Sequence, residues 1–517
     1  MRIGIDVGGT NTDAVLMDGN AVLAEVKTAT TGDVTSGVVA AISGLAAARS
    51  FEPGQVRAVM IGTTHFTNAI VEARRLAPTA AIRLALPATR ALPPMVDWPE
   101  RLVEALGGHV YLCHGGHEFD GRAIAPLDEG ELRRVASDLA AKGIGTVAIS
   151  SVFSPVNAEY EQRAADILSA ELPGLHVSLS HQIGRIGLLE RENATIVNAC
   201  LRGLAEQIAD AFGTALATVG ITAPLYLSQN DGTLMDVEYA RHYPVATFAS
   251  GPTNSMRGAA FLSGLSDCAV IDVGGTTSDV GVLARGFPRE ATTEVDIGGV
   301  RSNFRMPDVL SIGIGGGSLV TGGPVTVGPE SVGYELTSRA LVFGGDTLTA
   351  TDLAVAAGIA AIGDAAAVAD LPRRLVRDGL SVIADRMAGV LDRMRTSPEP
   401  LPVVAVGGGS ILVPDEIPGT LAVHRPAHFA VANAIGAAIA QVGGEVDRIF
   451  ALGAQTREQV LEQAKAEAVD RAVAAGAKPQ DVRIVEVDEV PISYLPGNAV
   501  RVRVKAVGEL QLDTAHA

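Results

Sequence analysis

Cysteine is scarce: the 517 residues hold three, Cys113, Cys200 and Cys268. Their odd number and wide spacing exclude a disulfide framework and point to a reducing compartment. Positive charge is also in short supply, with 40 Lys and Arg against 58 Asp and Glu and a formal net charge of −18. That balance argues against nucleic acid and against an anionic membrane surface as partners. Long apolar runs are missing too. The stretch from Leu353 to Ala369 is broken by Gly358, Gly363 and Asp364 before it reaches the roughly 18 residues of a membrane-crossing helix, so it reads as buried helix. The opening MRIGIDVGGT shows no basic stretch ahead of a signal-length apolar core, and the expected location is the cytoplasm. Aromatics make up only 4% while glycine numbers 58, so loops whose backbone can approach a ligand closely are the first place to look for function.

What is present is a foldable chain. Hydrophobic residues at 47% and charged residues at 19% sit far from the composition of disorder, and the length suits two to four domains. Short β-rich runs alternate with longer helical patterns, the signature of α/β architecture with mixed sheets. Arg2 to Val7, Ala14 to Met17 and Ala21 to Thr28 read as a three-strand meander. Helices are expected over Thr35 to Arg49, from near Thr67, over Asp128 to Ala141, and over Leu188 to Leu216, the last bridging two lobes. Past Glu445, a charged helix (Arg457 to Ala475) and strands at Arg483 to Val487 and Ala499 to Ala506 read as a small α+β appendage.

One motif occurs twice. Asp6-Val7-Gly8-Gly9-Thr10-Asn11-Thr12-Asp13 returns, 266 residues later, as Asp272-Val273-Gly274-Gly275-Thr276-Thr277-Ser278-Asp279. The glycines let the chain turn back so that backbone N–H groups and hydroxyls converge on a phosphate, and the strand-end acid can hold Mg²⁺ through water. A single copy reads more readily as a plain glycine hairpin. Two copies, each with an acid before and hydroxyls after, favour paired phosphate loops and a duplicated domain plan. A third glycine cluster, Gly407-Gly408-Gly409-Ser410, ends a buried strand and precedes a small-residue helix over Ala430 to Val442.

Two further segments have open readings. Gly313 to Ser318, with Gly315 and Gly316 at its centre, forms either an anion cradle or a packing loop. Near Thr351, Asp346 or Thr349 is placed to cap a helix. Cys113-His114-Gly115-Gly116-His117-Glu118-Phe119-Asp120 gathers ligands for Zn²⁺ or another transition metal, with His114, His117 and Asp120 as candidates and His65 in the same lobe. Its spacing fits no standard zinc pattern, and a plain Gly115-Gly116 turn is the alternative. Trp98, His109, His181, His242, His424 and His428 show no clustering and receive no chemistry.

The order of two phosphate loops and a later glycine loop resembles the actin-like ATPase superfamily of sugar kinases, actin and heat-shock chaperones. Within it, Ile61-Gly62-Thr63-Thr64 with Thr67-Asn68-Ala69, Asn230-Asp231-Gly232-Thr233, Ser250-Gly251-Pro252, the Gly313–Ser318 run and Phe343-Gly344-Gly345-Asp346-Thr347-Leu348-Thr349 resemble the hydantoinase/oxoprolinase family, in particular its N-methylhydantoinase A-subunits. The resemblance implies an α/β fold of two actin-like, ribonuclease-H-like lobes with mixed sheets flanking an ATP cleft. The first lobe would span 1–185, the second 186–444, and the α+β segment 445–517. It implies ATP and Mg²⁺ as cofactors, with Asp6, Asp13, Asp272 and Asp279 as catalytic residues: Asp6 and Asp272 organise the metal, and Asp13 and Asp279 either meet substrate or orient their own loop Thr. Gly8 to Thr12 and Gly274 to Ser278 would hold phosphates, and Gly407 to Ser410 would contact adenosine. The implied activity is ATP-dependent opening of a cyclic amide such as a hydantoin, oxoproline or another lactam, with a second hydantoinase-type subunit or a homodimer as the partner arrangement. The opening motif also resembles glucokinase-like sugar kinases, although no Cys-rich zinc segment or Glu-x-Gly-His motif accompanies it. A kinase and a non-enzymatic ATP-gated switch therefore remain as alternatives.

Overall fold

In the computed structural model, which describes residues 1–9, 11–30, 34–291, 295–450, 452, 456–492 and 499–512, the chain opens with the expected meander. Strands β1 (Arg2–Val7), β2 (Asn11–Asp18) and β3 (Ala21–Ala29) pair antiparallel in sequence order. Helix α1 (Val34–Ala48) packs on them through Val38, Ala41, Ile42 and Leu45, spaced as one helical face. Strand β4 (Ala58–Thr63) then pairs parallel to β1.

The chain next makes an excursion. Strands β5 (Ala80–Leu86) and β6 (His109–His114), helix α2 (Glu129–Lys142), β7 (Thr146–Ser151), helix α3 (Glu159–Glu171) and β8 (His176–Leu179) build a separate parallel sheet in the order β6-β5-β7-β8. Asp128 caps α2 by accepting from the Glu131 amide. Every residue of β5 and β7 is buried, as parallel strands covered on both faces require. One of them is charged: Arg83, wholly buried in β5, donates from Nε to Glu192 Oε2 at 2.7 Å and from Nη2 to Oε1 at 2.5 Å. Ser150 donates to the same carboxylate at 2.6 Å. Glu192 sits on the 31-residue helix α4 (Leu188–Thr218), so this fork pins the excursion to the main body. Glu192→Ala would leave a buried guanidinium unpaired and is expected to cost about 3–5 kcal/mol in denaturant unfolding. A loss under about 1 kcal/mol would show that water reaches the site.

After α4, strands β9 (Leu225–Ser228) and β10 (Thr233–Asp236) return to the first sheet, β9 lying parallel to β4. Helix α5 (Ser250–Ser263) leads into β11 (Cys268–Val273), β12 (Ser278–Ala284) and the short β13 (Phe287–Pro288). Past a region of small hairpins and helix α6 (Arg373–Met394), strands β14 (Leu401–Val406) and β15 (Thr420–His424) complete a second sheet, ordered β13-β12-β11-β14-β15. The first sheet contains the matching order β3-β2-β1-β4-β9. The duplication read from the two motifs is thus a duplication of topology.

Helix α7 (Ala432–Ala438) is shorter than the expected Ala430 to Val442, because Gln441 and Val442 pair parallel with Thr233 and Leu234 and open β16 (Gln441–Phe450). Helix α8 (Arg457–Ala474) and strands β17 (Arg483–Pro491) and β18 (Val500–Gly508) follow. These last strands extend the first sheet to nine, in the order β17-β18-β16-β10-β9-β4-β1-β2-β3. The helix expected across Leu353 to Ala369 is confined to Ala350–Ala356 and ends before Gly358, whose φ of +75° lies in the left-handed region. Thr349 is its N-cap, and Asp352 returns the interaction by accepting from the Thr349 amide at 2.7 Å. All three cysteines are buried, one each in β6, α4 and β11.

Candidate functional site

The two repeated motifs fold into the same turn in the same register. Across β1 and β2, Asp6 lies opposite Asp13 and Val7 opposite Thr12, and the Gly8 amide donates to the Asn11 carbonyl at 3.0 Å. Across β11 and β12, Asp272 lies opposite Asp279 and Val273 opposite Ser278, and the Gly274 amide donates to the Thr277 carbonyl at 2.9 Å. Gly9, Gly274 and Thr277 are exposed at the tips, with Gly8, Asn11, Gly275 and Thr276 half-buried beside them. Thr10, expected among the phosphate contacts, lies outside the described residues.

Pleating corrects two of the expected contacts. Directly opposed residues share a face of the sheet, so Asp6 and Asp13 point one way and Thr12 the other. Thr12 is buried with its hydroxyl 3.2 Å from that of Thr30, and Ser278 is buried and donates to the Ile314 carbonyl at 2.6 Å. Both hydroxyls brace the turns from behind and are turned away from a phosphate position.

The carboxylates form one electrostatic unit. Asn433 of α7 donates through Nδ2 to both Asp6 (3.0 Å) and Asp13 (2.9 Å). Asn254 of α5 donates to the other oxygen of Asp6 at 3.4 Å, and its neighbour Ser255 bonds Asp272. Lys27 holds Asp13 at 2.7 Å and reaches the Ala430 carbonyl at 3.2 Å. Burial, followed by the charge of Asp13, raises the Asp6 carboxyl to about 6; Asp272 adds to the shift from the opposite turn. Burial likewise raises Asp279 to about 6, against the bond from Ser311, and raises Asp272 against Ser255 and Lys27. Four carboxylates with one lysine leave an excess of hard oxygen donors, a set whose chemistry fits Mg²⁺ held mainly through water.

Glycines permit this closeness. A Cβ at Gly62 would lie 2.3 Å from Asp6 Oδ1, and one at Gly407 would lie 2.2 Å from Asp272 Oδ1. Gly407 and Gly409 donate their amides to Phe429 and Val273, which ties the third glycine loop to the strand carrying Asp272. Gly408 is exposed, while Ser410 is buried with its Oγ unpartnered. The Gly313–Ser318 run resolves to the packing reading. The amides of Gly316 and Gly317 donate to the Gly274 and Gly275 carbonyls, and that of Gly315 donates to Ser318 Oγ at 2.8 Å. With these donors engaged, Gly315 and Gly316 buttress the second turn from beneath and have no free amides to offer a ligand.

The histidine cluster does not assemble. His114 lies beside Glu131, with Nδ1 to Oε2 at 3.3 Å; buried His117 stacks on Tyr160 with centroids 4.4 Å apart; and exposed Asp120 is engaged by Arg122 at 2.6 Å. Burial raises the Cys113 thiol to about 12, away from the thiolate that a metal requires. Among the described residues, no three His, Cys, Asp or Glu side chains converge as a ready-made metal group. His114, His117 and Asp120 thus face separate partners and do not form the metal site expected of them.

Asn254, Ser255, Asn433 and Lys27 were not legible as site residues. The available signal was a polar side chain amid small ones, in SGPTNSMRG and VANAIG. The second half of that signal is a close helix crossing: a Cβ at Gly258 would meet the Ala432 carbonyl at 1.9 Å, and one at Gly436 would meet the Asn254 carbonyl at 1.8 Å.

Known proteins share this plan. The solved structure of an ATP-dependent caprolactamase from Pseudomonas jessenii aligns with a TM-score of 0.78 at 19% identity, over 99% of this chain and 88% of that one. In sequence, caprolactamase subunit alpha from the same organism is 28% identical over 392 residues, which are 70% of this chain and 55% of that protein. Acetophenone carboxylase gamma subunit from Aromatoleum aromaticum is 27% identical over 254 residues, 47% and 34% of the two chains. The chain thus spans about half the length of the first of these relatives and a third of the second. The sequence profile of the hydantoinase/oxoprolinase N-terminal region matches residues 2–172, and that of hydantoinase/oxoprolinase matches residues 191–389. One profile thus covers the first turn with β5 to β7 of the inserted sheet and the other covers the second turn with its buttress, and the chain belongs to the hydantoinase/oxoprolinase family.

Proposed function

We propose that this chain is an ATP-dependent hydrolase that opens a cyclic amide, or the ATP-using subunit of such an enzyme. The observation that carries the reading is the pair of Asp-Val-Gly-Gly turns in identical register, with Asp6, Asp13 and Asp272 bonded from α5, α7 and Lys27 and Asp279 paired across the strands with Asp272. The exposed tips Gly9, Gly274 and Thr277, with half-buried Gly275 beside them, would receive the phosphates, and Gly408 would lie toward the adenosine. Asp6 and Asp272 would hold Mg²⁺ through its waters; when bound, that ion offsets charge on the transferring phosphoryl group. Asn433 and Asn254 keep Asp6 oriented, and Lys27 compensates Asp13.

The amide oxygen attacks the γ-phosphorus and ADP leaves, giving an iminophosphate whose carbon accepts water. Ring opening at the C–N bond then leaves an acyl phosphate, and a second water attacking its carbon releases phosphate and yields the amino acid. Relatives named as subunits support a second subunit as part of the functional unit. Supplying the lactam with ¹⁸O in its carbonyl tests the chemistry: label is expected in inorganic phosphate, with an unphosphorylated, ring-opened product and ATP hydrolysis accelerated by the lactam. Label confined to the carboxylate would refute O-phosphorylation, and a stable phosphorylated product would make the chain a kinase.

A further inference from the structure

Apart from the two turns, a cavity of about 710 Å³ opens between the segment joining β8 to α4, the loop after β9, and the strand β16. It lies at the edge of the first sheet that carries the first turn. Strands β1, β4 and β9 run parallel with Ile5, Ile61 and Leu227 in one row, so the loop after β9 stands two strand spacings, about 10 Å, from the Asp6 turn. Ligands of such sheets bind outside the carboxyl ends of the strands. Asn230 in that loop accepts from the Ala249 amide at 2.8 Å and, through its carbonyl, from the Thr253 hydroxyl at 2.9 Å, one residue before the Asn254 that bonds Asp6.

The charged groups of the walls are engaged with one another: Asp447 with Arg501 and Arg305, Glu445 with Arg503, Arg185 with Glu290, and Asp231 with Lys505. His181 differs. It stands alone in sequence, yet the fold sets it against Glu161 of α3, a carboxylate with no exposed surface. Glu161 Oε2 accepts from the His181 amide at 3.0 Å and from its Nδ1 at 2.7 Å, and Oε1 accepts from the Ser180 hydroxyl at 2.5 Å. Ser180 accepts in turn from Nε of buried Arg191 at 2.9 Å, so the carboxylate is held in place from α4. Because a carboxylate only accepts, Nδ1 carries the proton and the ring's lone pair is on Nε2. Nε2 has no hydrogen-bond partner among the described residues, and the side chain, 19% exposed, lines the cavity.

We infer that His181, oriented by Glu161, is the general base of this cavity and, resting on the proposed function, that it takes a proton from the water that adds to the iminophosphate carbon. As the water oxygen bonds to that carbon, its proton passes to Nε2 and the C=N π pair moves onto nitrogen. The imidazolium then gives the proton to the ring nitrogen as the C–N bond breaks with its electron pair on nitrogen. The hydroxyl of the adduct loses its proton to solvent and becomes the carbonyl of the acyl phosphate, and His181 ends the step neutral. Glu161 is a positioning residue that fixes the tautomer and offsets the imidazolium charge.

Steady-state opening of hydantoin, 5-oxoproline and caprolactam with ATP, on the full chain and its variants, tests the assignment. His181→Ala should lower kcat by about 10²- to 10³-fold and leave KM for the ring little changed. Imidazole in solution should restore part of the loss, a response that a purely structural role of the ring would not give. Glu161→Gln, whose amide donates to Nδ1 and fixes the other tautomer, should lower kcat at least about tenfold, and imidazole should not restore it. Should Glu161→Gln not fold, His181→Ala still decides. Near-wild-type kcat in His181→Ala, a loss confined to KM, or no rescue by imidazole would overturn the assignment. Acylation by diethyl pyrocarbonate, followed on the His181 peptide by mass spectrometry, reads the free Nε2 without the reaction, and fast labelling that slows in Glu161→Gln is expected. A wild type that opens none of the three rings yet labels in this way would count against the proposed function and uphold the base. Ring opening by a wild type whose His181 does not label would do the reverse.

Discussion

Replacing Asp272 with asparagine is expected to leave the fold intact and to lower ATP turnover by about 10²- to 10³-fold, the scale on which removal of a charge-organising group acts. Asp6→Asn should do the same. The two positions are equivalent in register, and each faces the other's charge. Stability supplies an independent readout. Asp6 has a folded pKa of about 6 against an ordinary 3.8, so between those values the folded chain holds a proton that the unfolded chain has lost. Its contribution is therefore most favourable at low pH and declines as pH rises through that window, by roughly 3 kcal/mol above pH 6. Asp6→Asn removes the decline, and with metal chelated its unfolding midpoint at pH 7 should equal or exceed that of the wild type. A variant that lost stability along with activity would mean that Asp6 holds the turn together.

Gly436→Val should be as damaging by a different route. The added Cβ would start 1.8 Å from the Asn254 carbonyl, and Gly258 meets Ala432 just as closely from the other side. The helices α5 and α7 must then separate, at a cost of about 3 kcal/mol or more. Asn254, Ser255 and Asn433 travel with them, off the three carboxylates they bond. A lowered denaturant midpoint together with at least about tenfold lower turnover is expected. Asn433→Leu, which keeps the crossing and removes the donor, should affect turnover far more than stability. A Gly436→Ala variant as stable as the wild type would refute the close crossing.

The parts of this site that sequence made visible are those built by local rules. The turns are glycine hairpins with acids at fixed offsets, so their repetition was legible, as was the meander that each one begins. Alternation along β2 and β12 places Thr12 and Ser278 opposite in sense to their neighbouring acids, so the period of the strand outweighs the chemistry of the hydroxyl there. The carboxylate partners were hidden for another reason. Asn433 reaches Asp6 across 427 positions, and nothing local distinguishes that amide from a solvated one. β17 and β18 read correctly as strands, but β16, which joins them to the first sheet, was not legible, because it depends on pairing with β10, some two hundred residues upstream. The histidine cluster failed in the opposite direction: neighbours in sequence diverge when a strand ends in a turn, as His114 and His117 do around Gly115 and Gly116, both at positive φ.

The placement of the cysteines makes the folded chain a reporter of its own opening. Burial drives the thiols of Cys113 and Cys268 to about 12 and that of Cys200 higher still, so the native protein offers almost no thiolate to an alkylating reagent. Each thiol reacts only when its surroundings open, and each belongs to a different body: Cys113 to the inserted parallel sheet, Cys200 to the long helix against the first sheet, Cys268 to the first strand of the second. Mass spectrometry of the labelled peptides would thus time the release of three regions in one sample, and show whether they unlock together or in turn.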